Sequence, residues 1–189
     1  MSRRVVVLSV LAVVVVGVGV ALVAAARPAL DDARQAVDVR WATLRGPLAA
    51  RYDALGEVAS ALAAGGAAQR SYTADLRDAL AEWQELRGRS DPDAGAEAVS
   101  ANRLEGLAAR VRSNVAQSAR LRADPVIGDA VAAFDTALVP PPAVRAYNRA
   151  VRSYQSTRRE LLRRLPADLL GYGPRPLLVI GDVSKQSPP

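Results

Sequence analysis

Apolar residues recur at Val37, Trp41, Leu44, Leu48, Tyr52, Leu55, Ala59 and Leu62, in steps of three or four. That spacing stacks them on one face of an α-helix. Asp31 and Asp32 suit the start of such a helix, and Gly65-Gly66 marks its end. Gly46-Pro47 interrupts the run. Proline removes a donor from the helix ladder and disfavours helix in the residue before it, so a kink or a break is expected there. A second stripe, Tyr72, Leu76, Ala79, Leu80, Trp83 and Leu86, predicts a helix from about Ala67 to Arg87. Gly88 to Gly95 then reads as a loop, because glycine permits positive φ and Asp and Ser bond to nearby backbone.

The third stripe is Leu104, Leu107, Ala108, Val111, Val115 and Ala119, predicting helix over roughly Val99 to Leu121. A shorter helix carries Ile127, Val131, Phe134 and Leu138 after Asp124-Pro125, and Pro140-Pro141-Pro142 stops it. The last helix begins near Ala143, with Tyr147, Val151, Tyr154, Leu161 and Leu165 on one face. From Gly173 the chain is rich in Pro and Gly, and residues 173–189 are expected to be a disordered tail. No region alternates with period two. The pattern therefore predicts an all-α protein whose residues 31–172 form an antiparallel bundle of three or four helices.

The N-terminus has a different character. After a short tail of residues 1–4, Val5 to Ala26 is an uncharged run of 22 residues. A helix of that length rises about 33 Å, against a hydrocarbon core of about 30 Å. Residues 5–26 are therefore expected to be a single transmembrane helix. Arg3 and Arg4 precede it and Asp31 and Asp32 follow, which favours the N-terminus inside and the bundle outside the cell membrane. The competing expectation is a cleaved signal peptide ending at Ala24-Ala25-Ala26, which would make the protein secreted. The apolar run exceeds the ~7–15 residues usual for such a peptide. Leu177 to Ile180 is apolar but far too short to span.

Composition narrows the chemistry. The chain has no cysteine and no histidine, so thiolate chemistry, disulfides and a Ser-His-Asp triad are excluded. Its one lysine is Lys185. Carboxylate pairs such as Glu82 and Glu85 lie near no second polar cluster in sequence, and no phosphate-binding loop is present. No catalytic, cofactor-binding or metal-ligating residues are assigned. The net charge is +6, almost all from arginine. Nucleic acid is disfavoured as a partner, because aromatics make up only 4% of the chain and few platforms exist for stacking bases. The expected partners are the lipid bilayer and a protein, whether another chain or a second copy of this one.

Two stretches resemble the LemA family, membrane-anchored helical proteins common in bacteria. One is Trp41, Leu48, Arg51 and Asp53 in the first long helix. The other is Tyr147-Asn148-x-x-Val151-x-x-Tyr154, which is similar to the family's Tyr-Asn-x-x-Val-x-x-Tyr-Asn signature, with Gln155 in place of the second Asn. Gly171-Tyr172 matches a later Gly-aromatic element, and Asp124-Pro125-Val126-Ile127 resembles an aromatic-Pro-x-Leu element. The chain departs from the pattern at Gly56, where a proline is usual nearby, at Leu161-Leu162, which replaces Phe-Pro, and at Pro140–Pro142. The resemblance implies a divergent member, an anchored all-α bundle and no enzymatic activity.

Two functions fit these readings. The first is a non-enzymatic single-pass membrane protein presenting a helical bundle as an envelope scaffold or partner-binding module. The second is an extracytoplasmic ligand-sensing bundle whose inward arginines bind an organic anion. Tyr147, Val151 and Tyr154 share a face and are expected to pack in the core, their hydroxyls reaching backbone or water. Asn148 suits either a helix-helix bond or a solvated position. Arg51 and Asp53 lie two apart, so each needs a partner elsewhere, and an ion pair at the exposed bundle edge is expected. Arg145, Arg149, Arg152, Arg158 and Arg159 make α-helical spacings in the most basic stretch and are candidate contacts for a partner or anionic lipid.

Overall fold

The computed structural model describes the backbone of residues 3–68, 70–162 and 172–181, with side chains for all of these except 3–26, 161 and 162. Helix α1 runs without a break over Arg3–Leu62, 60 residues. The expected start at Asp31 is thus interior to a longer helix, and Gly46-Pro47 does not end it. Trp41 and Leu44 on one side of the proline and Leu48 and Tyr52 on the other are all buried on a single face. This packing holds the helix through a position where one ladder bond is missing. Among the described residues no helix is long and apolar enough to cross a membrane. The expected span, Val5 to Ala26, has side chains that lie outside the described residues.

A π-helical turn over Ala63–Ala67 ends α1. Gly66 adopts φ 79°, the left-handed region that favours glycine. The Arg120 side chain closes over it, Nη2 donating to the Gly65 carbonyl at 2.8 Å. The chain reverses into α2, Ser71–Arg87. Helix α3, Ala94–Gln117, starts earlier than the sequence pattern suggests. Its N-cap is Asp93, whose carboxylate accepts from the Gly95 and Ala96 amides, so the last glycine of the expected loop is already helical. Ser118 breaks α3 and caps the single turn α4, Ala119–Arg122. Asp124 caps α5, Pro125–Thr136, with proline in the first turn. Helix α6, Pro141–Leu162, likewise begins on proline. The preceding helix has already ended at Thr136, so the proline run, expected to stop it, opens the next helix instead, since early helical N–H groups need no partner.

The side-chain contacts give the helix directions. Gly65 lies against Ile127, Arg51 against Phe134, and Trp41 against Tyr147, so α5 and α6 run antiparallel to α1 as one interrupted column. Arg103 pairs with Glu82 and Arg110 with Asp75, so α3 runs antiparallel to α2. Glu97 and Glu105 face Arg45 and Arg51, so α3 is parallel to α1. The result is a helical bundle centred on the buried stripe of α1, with no strand among the described residues.

Two corrections follow. The pair expected at an exposed edge is instead at the centre. Arg51 is fully buried, its Nε and Nη2 donating to Glu105 at 2.6 and 3.0 Å. Its Nη1 donates to the Ala137 carbonyl at 3.0 Å, meeting the unsatisfied end of α5. Its guanidinium also lies 4.2 Å from the Phe134 ring centroid. Asp53 is exposed. The second correction concerns the expected tail. Residues 172–181 form no helix over most of their length but are packed, with Tyr172, Arg175, Leu178 and Ile180 buried. Pro and Gly composition reads as solvated chain only when no groove receives it. Residues 182–189 lie outside the described residues.

Arg51→Met leaves the Glu105 carboxylate buried without its partner and the end of α5 uncapped. We expect a loss of ~3–5 kcal/mol, measured by chemical denaturation of the full chain in mild detergent. Arg51→Met combined with Glu105→Leu should recover most of it.

Candidate functional site

Helices α3 and α6 make little direct contact with each other. The seam between them is a groove, and the extended segment 172–181, here called the strap, fills it. Its floor is apolar, with Tyr147, Val151 and Tyr154 buried along α6. Its walls are side chains that bond to the main chain of the strap.

Two asparagines do this in the same way. Asn148 on α6 donates Nδ2 to the Leu178 carbonyl at 2.9 Å and accepts the Leu178 amide on Oδ1 at 2.8 Å. Asn102 on α3 donates to the Leu177 carbonyl at 2.8 Å and accepts the Val179 amide at 2.9 Å. A carboxamide carries a donor and an acceptor side by side, as a peptide group does, so each asparagine substitutes for a neighbouring strand. Four more contacts continue along α6. The Tyr147 hydroxyl donates to the Pro176 carbonyl at 3.0 Å and Gln155 Nε2 to that of Arg175 at 2.8 Å. The Tyr154 hydroxyl donates to Gly173 at 2.7 Å, and Arg158 Nε to Tyr172 at 2.9 Å. As α6 proceeds from 148 to 158, the strap runs back from 178 to 172. The lengths match: ten helical residues rise about 15 Å and six extended ones about 19 Å.

The strap also inserts side chains. Arg175 enters an acidic pocket made by Asp93 at the start of α3 and Asp38 on α1, the latter 3.4 Å away. Gly95 makes room for it, because a Cβ there would come within 2.5 Å of Arg175 Nη1. Tyr172 donates its hydroxyl to Asp31 on α1 at 2.5 Å. Beside the groove, Glu97 is buried and accepts from Trp41 Nε1 and from Arg45, Nε at 2.9 Å and Nη2 at 3.0 Å.

Burial pushes the Asp93 carboxyl up, but the Arg175 guanidinium and the capping amides outweigh it and hold the group below its ordinary value. Asp38 goes the other way, burial raising it against the pull of Arg175 and Arg34. The hydroxyls of Tyr147 and Tyr154 are raised by burial, and that of Tyr172 by its hydrogen bond to Asp31 and by burial. All three stay protonated and act as donors. No family model matches the chain, and no curated protein matches it.

The candidate residues thus separate. Tyr147, Asn148, Val151, Tyr154 and Tyr172 meet at the groove, Asn148 bonding the strap rather than a second helix. Trp41, Leu48 and Arg51 lie in the core behind it. Gly171 is outside the described residues. Arg145, Arg149, Arg152 and Arg159 are exposed, and Arg158 is half-buried. Sequence reasoning missed Asn102, Asp93 and Arg175, and met Gln155 only as a departure from the Tyr-Asn-x-x-Val-x-x-Tyr-Asn signature. The signal for the first three was the apolar run Leu177–Ile180, which no helix pattern used.

Asn148→Asp keeps an acceptor but sets a carboxylate against the Leu178 carbonyl. We expect about 1–3 kcal/mol of destabilisation and faster hydrogen exchange at the Leu178 amide. A pH effect follows from Asp93. Its folded value is depressed, so its contribution is complete above the unfolded value and is lost as pH falls through the folded one. Asp38 has the opposite sign, favouring the fold most when protonated. Thermal midpoints measured from about pH 5 down to about pH 2.5 should fall in the wild type. The Asp93 part of that fall should vanish in Asp93→Asn, which keeps the cap.

Proposed function

We propose that the chain is a non-enzymatic, single-pass membrane protein that presents its helical bundle on the extracytoplasmic side as a partner-binding scaffold. The observation that carries this reading is the continuity of α1, whose Arg3–Leu62 backbone joins the apolar run to the central helix of the bundle. A helix shared between anchor and core fixes the bundle rigidly at the membrane surface. The buried arginines support a scaffold over an anion sensor, since Arg51 and Arg175 are matched by carboxylates of the same chain. The resemblance to the LemA family supports the same reading.

The antiparallel packing also divides the arginines of α6. Tyr172 meets Asp31 and Arg158 meets Tyr172, so Arg158 and Arg159 sit at the anchor-proximal end of the bundle. That position suits contact with lipid headgroups. Arg145, Arg149 and Arg152 lie further out, where an acidic protein partner would meet them.

Fractionation of the full chain carrying a C-terminal tag tests the anchor and its direction. We expect it to remain in membranes after carbonate washing and to be digested when protease is added to spheroplasts. Recovery in the soluble fraction without residues 1–26 would overturn the anchor. Protection from protease would overturn the orientation.

A further inference from the structure

Where α1 turns into α2, a cleft of about 270 Å³ opens between that turn and the junction of α3 with α4. Ala67 and Leu121 contribute its apolar part, and both are buried. The rest is polar: Arg70 and Tyr72 at the start of α2, Asn114 and Gln117 on α3, then Ser118 and Arg120. No carboxylate lines it. Arg120 is held in place, because Nη2 donates to the Gly65 carbonyl at 2.8 Å. Gly66 leaves the room for this, since a Cβ there would come within 2.6 Å of that nitrogen. The Arg70 side chain is exposed and has no hydrogen-bond or ion-pair partner among the described residues.

Elsewhere on α2 and α3 arginine meets carboxylate, as Arg103 does Glu82 and Arg110 does Asp75. Asp124 stands beside Gly65, but its carboxylate accepts the Val126 and Ile127 amides that open α5. Two guanidiniums thus border one cleft that holds no countercharge. The neutral side chains add donors. Asn114 and Gln117 each use one amide N–H inside α3 and keep a second. Ser118 Oγ accepts the Leu121 amide and keeps its own hydrogen to donate.

We propose that this cleft binds a small dianion, either a phosphate group or a pair of carboxylates, between Arg70 and Arg120. A guanidinium offers its N–H groups as a fork that matches either group. The volume lies below the ~300–1,000 Å³ of sites for drug-sized ligands, so the molecule is small. This goes beyond the scaffold reading and does not need the anchor.

Isothermal titration of the full chain in mild detergent tests the site, with inorganic phosphate and, separately, succinate as probes. Sodium chloride is held at physiological strength, so that general screening is constant. We expect saturable binding of at least one probe at one site per chain, and the tighter probe names the charged group. Arg70→Gln should weaken it about tenfold or more, the loss of charge-assisted bonds from one guanidinium. Arg120→Gln should do the same. Arg77→Gln, an exposed arginine of α2 outside the cleft, should leave affinity within about twofold. Circular dichroism checks that each variant is folded. Arg70→Gln decides the matter if Arg120→Gln is not, because Arg70 holds no other part of the chain. Saturation by neither probe would overturn the proposal. So would an affinity that Arg70→Gln leaves unchanged, or one that Arg77→Gln lowers equally. Failure of the anchor would appear in the fractionation and leave this titration readable.

Discussion

The Arg51 guanidinium is charged and fully buried, and much of the bundle is organised by what that requires. A buried charge is tolerated only when it is paired and its donors are used. Glu105 supplies the charge from α3, the C-terminal carbonyls of α5 take a further donor, and the Phe134 ring covers the face. One side chain on α1 thereby fixes the height of α3 and the end of α5. The register of the bundle follows, since Glu97 and Arg45 repeat the same pairing about two turns earlier on the same two helices. Apolar stripes alone would let the helices slide by a turn with little loss, whereas a buried ion pair would lose its partner.

The interruption between α5 and α6 is a consequence of the same constraint. The end of α5 is held by Arg51, and the chain reopens as helix at the proline run, where missing N–H groups cost nothing. The column opposite α1 is therefore in two pieces, and α6 is placed to form one wall of the groove. Its Tyr147 ring lies 5.0 Å from that of Trp41, which in turn donates to Glu97. The core and the groove are linked through this contact, so the position of the strap depends on the charge pairs behind it.

The strap shows how a segment without helical or strand partners can still be ordered. Its peptide groups must be bonded once they leave water. Side-chain amides and hydroxyls from two helices provide those bonds, and the strap contributes three apolar side chains and a cation in return. A site built this way is selective for an extended conformation and for a spacing of anchors.

The stripes from Val37 to Leu62 and on the later helices were legible in the sequence because burial on one face of a helix imposes a period that survives any arrangement of neighbours. The all-helical class and the segment order follow from that period, and the buried state of Trp41, Trp83 and Tyr147 agrees with it. Asn102, Asn148 and Gln155 carry no such signature, since an asparagine that clamps a peptide and one that faces water look alike in a list. Pro47 read as a break because its local preference opposes helix, and the packing on both sides of it outweighed that preference. The strap read as tail for the same reason: proline and glycine report what a segment prefers alone. Local periodicity depends on neighbours along the chain, and the sequence by itself determined it. Residues 172–181 pair with residues up to 141 positions away, so only the tertiary structure could decide that they are ordered, where Arg51 finds its partner, and that a groove exists.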